Sequence, residues 1–128
     1  MKAIILDKVG GTFTLTNTLT KPTPSRSQIL VKSLVTSLNP IEGIQQATGM
    51  LVQSWPIVLG CDASGIVVET GEDVKKFKKG DRVSGTTRLG TSGYGTFQEY
   101  FLMDEPLAFK TPGNISDEQA ATIGSGLL

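Results

Sequence analysis

The sequence predicts a single, mainly β domain that forms a barrel or a sandwich. Its 128 residues correspond to one domain by length. Most of the chain consists of short runs rich in β-branched and aromatic residues, and glycine or proline separates most runs from the next. Many short strands at this spacing are typical of a β-barrel or a β-sandwich.

Seven runs have the composition and length of strands, and turn residues bound them. In chain order they are residues 1–6, 12–16, 28–37, 63–69, 81–85, 96–102 and 107–110. The first two flank Gly10-Gly11, which predicts a strand pair with a glycine turn. The third is the longest β-branched run, so we expect a central strand that ends at Asn39-Pro40.

The connections follow from their proline, glycine and charge content. Residues 21–24 form a loop, because their two prolines lack the N–H that a sheet requires. Residues 71–80 form a turn-rich connector with many charges. Residues 88–95 contain three glycines in eight residues and are expected to form a mobile loop.

Two short helices are expected. The first covers residues 41–50, with Ile41, Ile44 and Gln45 on one face. The second begins after Ser116, where Gln119 completes a capping box. We expect this C-terminal helix to be truncated by the end of the chain, so that the sequence corresponds to the first domain of a larger protein.

The composition excludes several classes of function. Lys plus Arg and Asp plus Glu number 12 each, so net charge provides no long-range attraction to nucleic acid. The chain has no histidine, which excludes His-based catalytic triads and His-ligated metals within it. One cysteine and no long apolar run indicate no internal disulfide and no membrane span, so we expect a cytoplasmic protein.

Several single residues have both a structural and a functional interpretation. Cys61, at the edge of an apolar strand, is expected to be a small buried side chain. Asp62 and Glu42 lie beside strand ends, where a hydrogen-bonding role competes with acid–base catalysis. Trp55 and Tyr94 could line a pocket or pack in the core.

An ordered set of motifs runs through the chain: PIVLGCDASGIVVETGEDV at residues 56–74, FKKGDRV at 77–83, GTFQEY at 95–100 and AAT at 120–122. This set resembles the N-terminal half of medium-chain dehydrogenases/reductases. It is most similar to the zinc-independent quinone oxidoreductases and fungal enoyl-reductase-like proteins. The resemblance implies a GroES-like, partly open β-barrel over residues 1–128, with a few short helices. A Rossmann domain that binds NADPH follows in full family members and is absent from this chain.

The resemblance also assigns candidate site residues. Zinc-dependent members carry Cys-x-x-Asp where residues 39–42 read Asn-Pro-Ile-Glu, and Gly-His-Glu where residues 60–62 read Gly-Cys-Asp. No zinc is therefore expected. Zinc-independent members usually show Asn-Pro-x-Asp, which places Asn39 near the nicotinamide. Glu42 departs from the usual Asp by one methylene, and Glu42, Trp55 and Tyr94 are candidates for the cleft.

These assignments imply the substrate-side domain of an NADPH-dependent oxidoreductase that reduces a small activated alkene or a quinone. We expect the chain alone to bind no NADPH and to be inactive. The alternative is a stand-alone GroES-like binding or structural protein, because a fold does not determine a function. In either case Ile123, Leu127 and Leu128 on the truncated helix are expected to promote a homo-oligomer.

Overall fold

The computed structural model describes residues 1–124, and the β-rich architecture predicted from the sequence is confirmed. The strands are β1 Ala3–Ile5, β2 Thr14–Thr16, β3 Gln28–Thr36, β4 Asp62–Thr70, β5 Arg82–Thr86, β6 Tyr100–Asp104 and β7 Ala108–Lys110. The helices are α1 Pro40–Thr48 and α2 Asp117–Ala120, with a 3-10 turn at Glu105–Leu107. Every strand pair in this part of the chain is antiparallel.

Five strands form one curled sheet, a partly open barrel, in the order β6-β3-β4-β5-β7. The long β3 lies between β6 and β4, which confirms the interior position expected for residues 28–37. The remaining strands, β1 and β2, pair around Gly10-Gly11 as a separate two-stranded sheet, as the glycine turn predicted.

The apolar core of the described residues divides into three clusters, one of which consists of Leu30, Tyr94 and Leu102. The largest lies within the five-stranded sheet and consists of Ile29, Val31, Ala63, Val67, Phe77, Val83, Phe101, Met103 and Ala108. Another, Leu6, Ile57 and Leu59, joins the β1–β2 pair to the rest of the molecule. Alternate residues of β3 and β4 supply the largest cluster because side chains along a strand point to opposite faces.

The strand predicted at residues 96–102 begins later, at Tyr100, because the residues before it pair with other segments. Thr96 N–H donates to the carbonyl O of Gly60, and Phe97 N–H donates to that of Leu59. On its other side, Phe97 accepts through its carbonyl O from Ile4 N–H. Residues 96–98 therefore connect the two-stranded sheet to the segment that leads into β4.

Helix α1 lies where the sequence predicts it, and of the face expected from Ile41, Ile44 and Gln45 only Gln45 is buried. Glu42 and Gln45 are buried, whereas Ile44 is 42% exposed. The tertiary structure explains why Glu42 is buried. The first turn of α1 faces polar groups at the start of β4, and these groups interact with a carboxyl group at this position. Glu42 Oε1 accepts the N–H of Asn39 at 2.8 Å, and Gly49 ends the helix with a left-handed φ of 74°.

Helix α2 has the predicted capping box. Ser116 Oγ accepts from Gln119 N–H at 3.0 Å, and the Gln119 side chain accepts from Ser116 N–H at 2.9 Å. The helix ends at Ala120, and Ile123 lies in a bend beyond it rather than on the helix. Leu127 and Leu128 lie outside the described residues.

Helix α2 is held against the sheet by polar contacts. Asp117 forms an ion pair with Arg82 of β5 at 2.9 Å, and its carbonyl O accepts from Ser64 Oγ of β4 at 2.8 Å. Ser37 Oγ, just after β3, donates to the carbonyl O of Ala121 at 2.9 Å. These contacts fix a four-residue helix that would not be stable alone.

Candidate functional site

A pocket of about 750 Å³ lies between the β1–β2 pair, the end of β3 and the start of α1. We call it the apolar pocket. Its lining residues are Lys2, Ala3, Ile4, Phe13, Leu15, Ser33, Thr36, Leu38, Asn39, Glu42, Gly43, Thr96, Phe97, Gln98 and Glu99. Its volume is in the range of sites that hold small organic ligands.

Four polar side chains meet beside the base of the apolar pocket, at the junction of α1 and β4. Asn39 Nδ2 donates to Asp62 Oδ2 at 2.9 Å and lies 3.7 Å from the sulfur of Cys61. Cys61 Sγ lies 3.9 Å from Glu42 Oε2. Cys61, Asp62 and Glu42 are buried, and Asn39 and Glu42 also line the pocket, so these two residues connect the cluster to it.

Burial raises the pKa of Glu42 above its ordinary value of 4.5, and the nearby Asp62 carboxyl group raises it further. The hydrogen bond from Asn39 N–H acts in the opposite direction and offsets part of this effect. The carboxyl group of Glu42 therefore holds a proton more tightly than an exposed glutamate does.

A pair of hydroxyl groups forms a second polar element of the lining. Thr36 Oγ1 and Thr96 Oγ1 lie 2.7 Å apart, and Thr36 Oγ1 also donates to the carbonyl O of Asp62 at 3.1 Å. Thr96 is buried, which places this pair toward the base of the apolar pocket rather than at its rim. Because Thr36 donates its hydrogen to Asp62, Thr96 donates to Thr36, and the lone pairs of the pair remain to accept a hydrogen bond from a ligand.

Of the site residues predicted from the sequence, the structure brings Asn39 and Glu42 together in the apolar pocket. Trp55 is not in its lining and packs on the cluster formed by Leu6, Ile57 and Leu59. Cys61 is fully buried, as expected, and Asp62 begins β4 as a strand-end hydrogen bonder.

Tyr94 also lies away from the apolar pocket and anchors the glycine-rich loop to the sheet. Its hydroxyl donates to Asp104 Oδ1 at 2.9 Å and accepts from the Gln28 side chain. Burial and the Asp104 carboxyl group raise the pKa of Tyr94. Arg88 pairs with Asp104 at 2.6 Å and lies 5.2 Å from the centre of the Tyr94 ring. These contacts tie both ends of the loop to β6.

Most of the apolar walls of the pocket were not predicted from the sequence; they are formed by Phe13, Leu15, Leu38 and Phe97. One signal was available. Leu15 stands between two threonines, and Leu38 stands between Ser37 and Asn39, so each is a large apolar residue among polar ones.

The polar cluster does not have the chemistry of a zinc site. Asn39 directs the N–H groups of its amide toward Cys61 and Asp62, where a cation would have to replace those hydrogens. Within residues 1–124, no group of three or more Cys, Asp or Glu is arranged to hold a metal ion.

Neither of the two helices in that range is long and apolar enough to cross a membrane.

The partly open barrel, with a ligand-sized pocket on one side, has the architecture of a GroES-like domain. Residues 25–113 match the family model described as the alcohol dehydrogenase GroES-like domain. The chain therefore belongs to this domain family, within the medium-chain dehydrogenases/reductases that include quinone oxidoreductases and enoyl reductases.

Individual relatives agree with this assignment. The dehydrogenase pigH of Monascus ruber is 39% identical over 114 residues, covering 83% of this chain and 31% of the relative. The trans-enoyl reductase RAP2 of Pyricularia oryzae is 33% identical over 129 residues, covering 96% and 35%. The Escherichia coli quinone oxidoreductase complexed with NADPH is 28% identical with a TM-score of 0.86, covering 96% and 37%. The chain thus spans about a third of the length of these proteins.

The raised pKa of Glu42 predicts a pH-dependent effect of Glu42→Gln. The folded state binds this proton more tightly than the unfolded chain, so wild-type stability falls as the pH rises from 4.5 through the raised pKa. Glutamine keeps an oxygen for Asn39 N–H but does not ionise. We expect Glu42→Gln to gain stability relative to wild type as the pH rises toward neutral, as measured by urea unfolding at several pH values.

Glu105→Gln provides a control of opposite sign. The N–H groups of Lys76 and Lys75 lower the pKa of Glu105, so its contribution is present above the ordinary pKa and is lost on acidification. This variant should lose stability relative to wild type as the pH rises. Parallel pH profiles for wild type and Glu42→Gln would contradict the prediction.

Proposed function

We propose that this chain is the substrate-side domain, residues 1–128, of an NADPH-dependent oxidoreductase that reduces a quinone or an activated alkene without zinc. One observation carries the proposal: Asn39 and Glu42 meet in the apolar pocket, and the amide hydrogens of Asn39 face Cys61 and Asp62. The E. coli quinone oxidoreductase with NADPH and the trans-enoyl reductase RAP2 support this reaction class.

NADPH, when bound, supplies the hydride. Within residues 1–124 the strand pairs are antiparallel, so that part of the chain offers no βαβ unit for the nucleotide phosphates. The residues present suit the nicotinamide end instead. Asn39 presents a polar side chain at the pocket, and its hydrogen bond to Asp62 holds that side chain in one orientation.

The other pocket residues position the acceptor. The hydroxyl groups of Thr36 and Thr96 hydrogen-bond to each other, and Thr36 donates to the carbonyl O of Asp62, so this pair forms a fixed polar part of the wall beside the acceptor. Phe13 and Phe97 provide apolar wall and exclude water from the acceptor. Glu42 fixes the first turn of α1 through the N–H of Asn39, and thereby holds Asn39 in place.

The codons that follow Leu128 provide the first test. A continuation that encodes Gly-x-Gly-x-x-Gly after a predicted strand supports the proposal, and a stop codon favours a stand-alone protein. The product of the complete reading frame should then oxidise NADPH in the presence of a quinone or an enone. Asn39→Ala should reduce this rate by about tenfold or more, whereas Asn114→Ala, at an exposed asparagine, should not change it.

A second candidate function is self-association through the face beside α2. Leu38 is 80% exposed, and its neighbour Ser37 hydrogen-bonds to Ala121, just after α2. Because the net charge is zero, electrostatic repulsion between copies of the chain is weak and opposes association little. Light scattering over a range of concentrations measures self-association as a mass above that of the monomer. Leu127→Asp should lower this mass, and the control Lys76→Asp should not.

A further inference from the structure

Two buried polar side chains have no hydrogen-bond partner among residues 1–124. They are Gln45 in α1 and Thr87 just after β5, and the atoms concerned are Gln45 Nε2 and Thr87 Oγ1. Gln45 is 1% exposed and Thr87 is 4% exposed. A buried polar atom without a hydrogen bond loses the free energy of its hydration and recovers nothing in return. Folded proteins therefore satisfy nearly all such atoms, and a bound water molecule does so where the protein itself does not.

The two side chains lie around the same residue, Cys61, on different elements. Thr87 N–H donates to the carbonyl O of Cys61 at 2.8 Å. On α1, Glu42 Oε2 lies 3.9 Å from Cys61 Sγ, and Gln45 is buried about one turn further along the helix. Residues three apart on a helix share a face, so Gln45 also faces the surroundings of Cys61.

Backbone hydrogen bonds bring the same two segments together beyond the helix. The carbonyl O of Gln45 accepts from Gly49 N–H at 2.8 Å, where α1 ends. Shortly after, Gln53 N–H donates to the carbonyl O of Gly90 at 2.9 Å. The chain that follows Gln45 thus runs beside the chain that follows Thr87.

The burial of both atoms restricts what they can bind. The described residues already cover them, so neither a partner protein nor a further domain of a longer chain reaches them. An anion is disfavoured because the carboxyl groups of Glu42 and Asp62 lie nearby. A cation is disfavoured because Gln45 Nε2 is a hydrogen-bond donor only. Water is small and uncharged, and it can accept from an amide while it bonds to a hydroxyl group.

We propose that Gln45 Nε2 and Thr87 Oγ1 bind one buried water molecule beside Cys61, and that this water bridges α1 to the chain after β5. The amide donates to the water oxygen, and the water forms a second hydrogen bond with the hydroxyl group. The bridge fixes the middle of α1, as the hydrogen bond from Asn39 to Asp62 fixes its start. The site does not depend on the proposed function, because it rests on burial and hydrogen bonding alone.

Nuclear Overhauser effects between water and protein test the site directly in the isotopically labelled 128-residue chain. Wild-type protein should show a cross-peak between a long-lived water and the side-chain amide hydrogens of Gln45. Thr87→Val keeps the shape of the side chain but removes its hydroxyl group, so it should weaken or abolish this cross-peak. The side-chain amide of Gln46 is the internal control and should show none, because it donates to the carbonyl O of Gly11 at 2.8 Å.

Unfolding in urea tests whether the two residues share the water. Gln45→Met and Thr87→Val, each alone, should lower the equilibrium constant for folding by about fivefold or more, because each leaves the remaining polar group and the water incompletely bonded. The double variant should lose less than the two single effects combined, since apolar groups at both positions remove the need for the water. Gln53→Met and Thr14→Val, at exposed positions, are the matched controls and should change stability little.

A folded wild-type chain with no water cross-peak at Gln45 would overturn the proposal. Single substitutions that stabilise the fold would overturn it as well, because that result is expected if the two atoms have no partner at all. Effects of Gln45→Met and Thr87→Val that simply add would exclude a shared water. If a variant fails to fold, the cross-peak of the wild-type chain still decides the question.

Discussion

Replacing Asn39 with aspartate is expected to lower the free energy of unfolding by about 3 kcal/mol at neutral pH. Asn39 Nδ2 donates to the buried carboxyl group of Asp62 at 2.9 Å. The substitution preserves the size of the side chain but replaces this donor with a second carboxyl oxygen. The backbone N–H of residue 39 can still donate to Glu42, and aspartate is a favourable residue before a helix. The change in the free energy of unfolding therefore reports on the interaction between the side chains of residues 39 and 62.

The pH dependence distinguishes repulsion from a packing defect. Two adjacent carboxyl groups bind a shared proton more tightly in the folded state than in the unfolded chain. The Asn39→Asp variant should therefore recover stability relative to wild type as the pH falls. Urea unfolding at several pH values measures this recovery. Asn114→Asp, at an exposed position, is the control, and an equal effect of the two substitutions at neutral pH would contradict the argument.

Gly65→Ala is expected to destabilise the fold by about 3 kcal/mol or more. Gly65 lies in β4 and pairs with Ser33 of β3 and Val83 of β5. A Cβ at this position would overlap the carbonyl O of Lys32 and approach Val31 Cγ1 to 2.6 Å. Because the obstacle includes the backbone of a neighbouring strand, rotation of a side chain cannot relieve the overlap.

Gly43→Ala is the same substitution with the opposite expected result. Gly43 lies inside α1, and nothing lies within 4 Å of an added Cβ. Alanine in a helix interior is favoured over glycine by about 0.5–1 kcal/mol, so this variant should be more stable than wild type. Thermal and urea unfolding of both variants provide the comparison. A Gly65→Ala protein as stable as wild type would show that β3 and β4 can separate at this point.

The elements that the sequence predicts well are those whose cause is local. The run at residues 28–37 became β3 because β-branched side chains favour an extended backbone at each position. The capping box at Ser116 and Gln119 formed as predicted because its two hydrogen bonds join residues three apart. The ordered motifs likewise identified the domain family, since they occur in the chain itself.

The candidate site was predictable only in part. Asn39 and Glu42 were identified because they belong to one short motif that begins a helix. Trp55 and Tyr94 were named as cleft candidates on residue type alone, and residue type does not specify which face of the barrel a loop residue occupies. The structure packs Trp55 on Leu6, Ile57 and Leu59, and it bonds Tyr94 to Asp104.

The sequence by itself determined the strand composition and the family, because these are properties of adjacent residues. Only the tertiary structure decided that Glu42 is buried rather than Ile44, and that Leu15, Leu38 and Phe97 share one pocket. Those residues are distant in the chain, and backbone pairings such as Ile4 N–H to Phe97 O bring them together. The pocket exists because strands that are far apart in sequence hydrogen-bond side by side, and no local pattern records which strands will do so.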